Sequence, residues 1–151
     1  MSGPPKRRSR LNRFMGLSGL TADVALARAQ TNLEAHRTAA LEGVDAAIAS
    51  MNDVANSSAA SAQSQARLYE MAYEVGGIAG LYNLQALGHA AQSLCELIEG
   101  CRTRHTWDSA GVAVHLAAIR LLRRPEHAVG AAEAEILRGL GRIVKRDGKA
   151  G

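Results

Sequence analysis

The sequence predicts an all-α fold, an antiparallel up-down four-helix bundle with an extra helix and flexible basic tails, and three observations carry that reading. Alanine fills 29 of the 151 positions, and no residue loses less on entering a helix. Aromatic residues make up only 3% of the chain and β-branched residues are sparse, which is the wrong composition for a sheet. Apolar residues recur at three-, four- and seven-residue intervals in four or five separate stretches joined by short links, the pattern of helices that each bury one face against the others. A chain of 15.9 kDa is long enough for one core. With 47% apolar and 21% charged residues, it resembles ordinary globular composition and not a disordered or fibrous one.

Residues 1–19 hold two of the three prolines and no periodic apolar face before Leu20, so they read as a flexible basic tail. Thr21 is a suitable N-cap for a long helix whose stripe is Leu26, Leu33, Ala40, Val44, Ile48 and Met51, with a bend expected at Gly43. Residues 56–64, rich in Ser and Ala, read as a connection. The second helix carries Leu68, Met71, Val75, Ile78 and Tyr82, and the third starts near Asn83 with Leu84, Leu87, Ala91, Leu94 and Ile98 before a stop at Gly100. A polar link over 101–106 leads to Thr106 or Asp108 as cap of a fourth helix bearing Val114, Ala118, Leu121 and Leu122, ended by Pro125. A last helix spans about Val129 to Lys145 with Ile136, Leu137, Leu140, Ile143 and Val144 inward. The bundle is thus expected over 20–146, with a C-terminal tail over 147–151.

The net charge of +4 is unevenly spread: the first fifteen residues carry +5 and those from Arg142 onward +3, which leaves −4 for residues 16–141. The basic character belongs to the ends, where it suits solubility or an anionic-membrane or acidic-partner contact. The body has neither a basic face with stacking aromatics nor a recognition motif, so no nucleic acid is expected as a partner. No apolar run approaches the ~18 residues of a membrane span, and the N-terminus lacks the apolar stretch of a secretory signal; a cytoplasmic location follows by default. Cys95 and Cys101, six apart, match no CxxC pair and read as reduced bystanders.

No catalytic residue, metal site or cofactor is predicted, and the chain does not read as an enzyme. None of His36, His89, His105, His115 and His127 belongs to an HExxH or ExxH pair. His115, among Val114, Leu116 and Ala118, reads as a packing histidine, and His105 and His127 as solvated. The odd feature is the second helix, where Gly76, Gly77 and Gly80 sit inside a firmly helical rhythm at a cost of ~1 kcal/mol each relative to alanine. With Tyr73 they fall at i, i+3, i+4 and i+7, on one face. Such a strip admits another backbone at close range, from within the same bundle or from a partner.

The segment RLYEMAYEVGGIAGLYNLQALGHAAQSLCELIE, from Arg67 to Glu99, resembles the histidine-phosphotransfer (HPt) domains of alphaproteobacteria, whose motif has the form AHDIRGQGGTFG followed by a helix ending SLCRYIE. Ala72, Glu74, Val75, Gly77, Gly80 and Tyr82 fall on the first block, and Ser93, Leu94, Cys95, Ile98 and Glu99 on the second. The flanking helices are similar in character over residues 20–145. The departure is chemical: Tyr73 stands where the family has its phosphorylated histidine, and Gly76 where it has a cation. A phenol with a pKa near 10 is a poor phosphoryl acceptor, and without the cation the incoming group loses favourable electrostatics.

The resemblance therefore implies a degenerate HPt-like protein of a two-component phosphorelay that binds a receiver or histidine-kinase domain as a regulator or scaffold, without His phosphotransfer. Tyr73, Gly76, Gly77 and Gly80 would form the partner-binding face, with Glu74 and Arg67 flanking it, and a monomer is favoured. Three other readings stand beside it: an active phosphotransfer protein using another histidine, of which His89 is nearest; a structural helical oligomerisation module; and an adaptor recruited to membrane or nucleic acid by its basic tails.

Overall fold

The computed structural model describes residues 11–58, 61–124 and 130–149, with the backbone alone for 11–20 and 58. Five helices account for nearly all of them: α1 (Leu11–Ser58), α2 (Ala62–Leu81), α3 (Gln85–Arg104), α4 (Ser109–Leu122) and α5 (Ala131–Lys149). The fold is all-α, and no strand occurs among the described residues. The chain divides into two compact units between Ala39 and Ala40.

The described residues of the first unit, 11–39, are the N-terminal part of α1. Residues 21–39 are exposed throughout, including Leu26 at 59% and Leu33 at 67%. The stripe expected to face a core through these two leucines is exposed, and no second element among the described residues of the unit packs on it. The described chain is already helical at Leu11, ahead of Thr21 and inside the segment expected to be a tail. Thr21, the expected cap, therefore lies inside the helix, and farther along the Thr31 hydroxyl donates back to the Ala27 carbonyl at 3.0 Å.

The second unit holds the rest of α1 and all of α2 to α5. Its core takes Val44, Ile48 and Met51 from α1; Leu68, Ala72, Val75 and Ala79 from α2; and Leu140 from α5. The central element is α3, which packs on α2, α4 and α5. It buries Leu87, Ala90, Ala91, Leu94, Leu97, Ile98 and Cys101, a face wide enough for three neighbours.

The helix ends follow local chemistry. Ser61 caps α2, its hydroxyl accepting the Ser64 amide at 3.1 Å, so the link after α1 is shorter than the expected 56–64. Asp108, one of the two expected caps, caps α4 by accepting the Gly111 amide at 2.8 Å. Gly100 does not stop α3, which continues through the supposed link to Arg104 because Cys101 is a core residue. The Arg104 side chain folds over the space beside Gly100, and His105, exposed and left-handed at φ 55°, ends the helix.

In α4 the buried face is Val112, His115, Leu116, Ala118, Ile119 and Leu122. Val114 at 48% and Leu121 are exposed, against expectation; the helix is apolar on nearly all sides, so periodicity alone does not select the inner face. In α5 the expected stripe is correct, with Leu140 buried and Ile136, Leu137, Ile143 and Val144 packed against the core. The helix runs on to Lys149, into the expected C-terminal tail. Its last turn is clasped to α3 by an Arg104–Asp147 ion pair. Pro125, His127 and Val129 lie outside the described residues.

Candidate docking groove between two helices

The chain turns between α2 and α3 in three residues. Asn83 takes a left-handed φ of 59°, and the Leu84 amide donates to the Ala79 carbonyl at 2.8 Å. The helices then run antiparallel, with Gly76 facing Gly88 near the turn and Tyr69 meeting Cys95 farther along. A Cβ on Gly76 would lie 3.7 Å from the Ala91 Cβ and 3.9 Å from the Gly88 carbonyl; one on Gly88 would lie 3.7 Å from the Ala79 Cβ. These are ordinary contact distances, so both positions are covered by the facing helix, with room for a methyl group and little more.

The strip seen in the sequence therefore splits. Gly76 serves packing within the protein. Gly77 and Gly80 do not, since a Cβ at either would meet nothing within 4 Å. Tyr73 is 72% exposed and its ring stacks on that of Tyr69, with centroids 6.5 Å apart and planes 9° from parallel.

Together these residues make one wall and the floor of a groove of about 610 Å³ between α2 and α3. Of the six residues proposed for partner binding, Tyr73, Gly76, Gly77 and Gly80 line it, whereas Glu74 and Arg67 are exposed but do not.

On the opposite wall, sequence reasoning named His89 only as an alternative phosphoryl acceptor and overlooked its neighbours. His89, Gln92, Glu96 and Glu99 of α3 line the groove; their spacing of three, four and three residues puts them on one helical face. The Gln92 amide donates to Glu96 at 3.3 Å. No Lys or Arg side chain lines the groove. Cys95 at its base is a free thiol, pushed up to about 11 chiefly by burial and further by the Glu96 and Glu99 carboxylates. It stays protonated and unreactive at neutral pH. Cys101, also free and buried, is likewise raised by burial.

His115 lies away from the groove, fully buried in the core. Its Nδ1 is 2.7 Å from the Gly111 carbonyl, which only accepts, so Nδ1 carries the proton. Nε2 then accepts from the Ser93 hydroxyl at 3.0 Å. Burial holds the imidazole below its ordinary value, against opposing pulls from the Gly111 carbonyl and the Asp108 carboxylate. It is a packing histidine with both nitrogens satisfied. Among the described residues no three His, Cys, Asp or Glu side chains gather as a metal site, and no helix is long and apolar enough to cross a membrane.

No family model, curated protein or solved structure matches this chain.

Proposed function

We propose that this is a degenerate HPt-like protein of a two-component phosphorelay, a four-helix bundle that binds a receiver or histidine-kinase domain and regulates or scaffolds it without passing phosphate. The observation that carries the reading is Tyr73: the residue that falls on the relay histidine is 72% exposed, beside two uncovered glycines, at the groove's edge. An exposed ring beside bare backbone offers contact area at low entropic cost. The chemistry around it disfavours phosphoryl acceptance, because the groove supplies Glu96 and Glu99 and no cation to a group that needs positive potential. Such a protein works in the cytoplasm, as a monomer and without a cofactor.

Titration against the receiver domains of the same cell tests this. Wild type binds one of them, Tyr73→Ala weakens that binding, and no label passes from the phosphorylated receiver. Binding by none of the receivers or kinase domains rejects the reading. A second reading rests on His89, exposed on the same groove; acid-labile label that disappears in His89→Ala would make the protein an active phosphotransfer domain with a displaced acceptor.

A further inference from the structure

The groove between α2 and α3 carries a charge pattern that specifies more than a general docking surface. Its α3 wall bears two carboxylates, Glu96 and Glu99, and the nearest exposed cation on either side of them in sequence, Arg67 before and Arg102 after, does not line it. Glu70 and Glu74 on α2 are also exposed. The Cys95 thiol at the base is raised chiefly by burial and further by these same two carboxylates, Glu96 and Glu99. Facing the carboxylates is the stacked Tyr69–Tyr73 pair. Carboxylates opposite an aromatic surface recognise organic cations, by charge on one side and by the negative face of the ring on the other.

The shape of the groove adds a second constraint. Gly77 and Gly80 leave backbone uncovered along the floor, so an occupant's backbone can approach closely. A channel between two antiparallel helices suits a third helix laid along it. From Tyr69 to Gly80 the channel runs about 16 Å at 1.5 Å per residue, the length of three helical turns.

We propose that the groove seats a helix of the partner protein that presents arginine or lysine side chains, its small or apolar face on Gly77 and Gly80 and its cations against Glu96, Glu99 and the Tyr69–Tyr73 pair. This rests on the groove being the docking site of the proposed function, and it names the chemistry of what docks there. The same carboxylates turn away phosphate groups and acidic helices. Gln92 donates to Glu96 within the same wall.

The test uses the full-length 15N-labelled protein and two synthetic amphipathic peptides with the same Ala/Leu face, one carrying Arg on its polar face and the other Glu. The Arg peptide is expected to shift the amides of Gly76, Gly77 and Gly80. Its affinity should fall about tenfold or more in the Glu96→Gln/Glu99→Gln double variant, and fall steeply as salt rises from about 50 to about 300 mM. The Glu peptide should leave these amides unmoved. Both substituted residues are exposed, and an unchanged circular dichroism spectrum confirms that the variant is folded. Equal binding of the Glu peptide, shifts that bypass the three glycines, or indifference to the double substitution each overturns the proposal. A receiver that binds wild type and double variant alike sinks the cationic-helix proposal and spares the phosphorelay reading. Arg-peptide docking without receiver or kinase binding does the reverse.

Discussion

Ser93 of α3 and His115 of α4 share a 3.0 Å hydrogen bond, with the imidazole fully buried and its Nδ1–H held by the Gly111 carbonyl. This arrangement makes stability depend on pH. The folded-state pKa of His115 lies below the ordinary 6.5, so below pH 6.5 the unfolded chain takes up a proton that the folded one refuses. The contribution is present in full above about 6.5 and is lost as pH falls through that value, until the folded-state pKa is reached; the slope is at most ~1.4 kcal/mol per pH unit. Urea unfolding at pH 7.5 and 5.5 should show the loss, and His115→Gln, which hydrogen-bonds but does not titrate, should remove this part of the slope. An unchanged slope in that variant would show that protonation elsewhere controls acid sensitivity.

The divided glycine strip predicts opposite effects within one helix. Gly77 and Gly80 face open space, so alanine at each should raise stability by about 0.5–1 kcal/mol through helix propensity alone. At Gly76 a Cβ meets Ala91 and the Gly88 carbonyl at ordinary contact distances, so alanine fits there but leucine must push α2 from α3, at a cost of about 1–3 kcal/mol. Thermal melts of Gly77→Ala, Gly80→Ala and Gly76→Leu separate the cases. Destabilisation by alanine at Gly77 or Gly80 would mean that the protein itself covers that face.

Much of the second unit was readable where each helix has a single apolar side. Leu87, Ala91, Leu94 and Ile98 of α3 and Leu140 of α5 are core residues, as their spacing demands. Periodicity failed where it is ambiguous or unpartnered. On α4, Val114 and Ile119 are equally good candidates by composition, and only the packing of neighbours selects Ile119. On α1, Leu26 and Leu33 keep the rhythm of Val44 and Met51 yet are exposed. In the groove, Tyr73 and the glycines stood out because glycine contradicts helix propensity. The polar residues His89, Gln92, Glu96 and Glu99 contradict nothing, and their shared role depends on which helix lies opposite.

The N-terminus of α4 should be sensitive to one methyl group. A Cβ on Gly111 would lie 2.3 Å from Asp108 Oδ2 and 3.0 Å from the Leu97 Cδ2. The Asp108 side chain is the flexible partner and must swing away, which breaks its cap on the Gly111 amide and its ion pair with Arg146. Gly111→Ala should therefore cost about 1–2 kcal/mol despite alanine's better propensity, close to the cost of Asp108→Ala. Because both substitutions remove the same cap, the double variant should lose less than the two single losses combined. Additive losses in chemical denaturation would show that they act independently.

Tyr73 distinguishes an anchor from a core residue. Exposed, with its ring contact on Tyr69, it should change stability by no more than about 0.5 kcal/mol when replaced by alanine. Leu94→Ala in the buried core should cost about 2–5 kcal/mol. If the ring is what the partner grips, Tyr73→Ala should weaken binding by more than about 1 kcal/mol while Tyr73→Phe, which keeps the ring, largely retains it. If the docking geometry of a phosphorelay survives, Tyr73→His combined with Gly76→Arg restores both groups that the relay chemistry needs, and the variant should accept labelled phosphate from a bound receiver. Acceptance should improve further when Glu96 and Glu99 are neutralised, because the carboxylates that favour a cationic helix oppose an incoming phosphoryl group. A variant that binds the receiver as wild type does but takes no label, even with both carboxylates removed, would show that the groove holds its partner in a register unrelated to phosphotransfer.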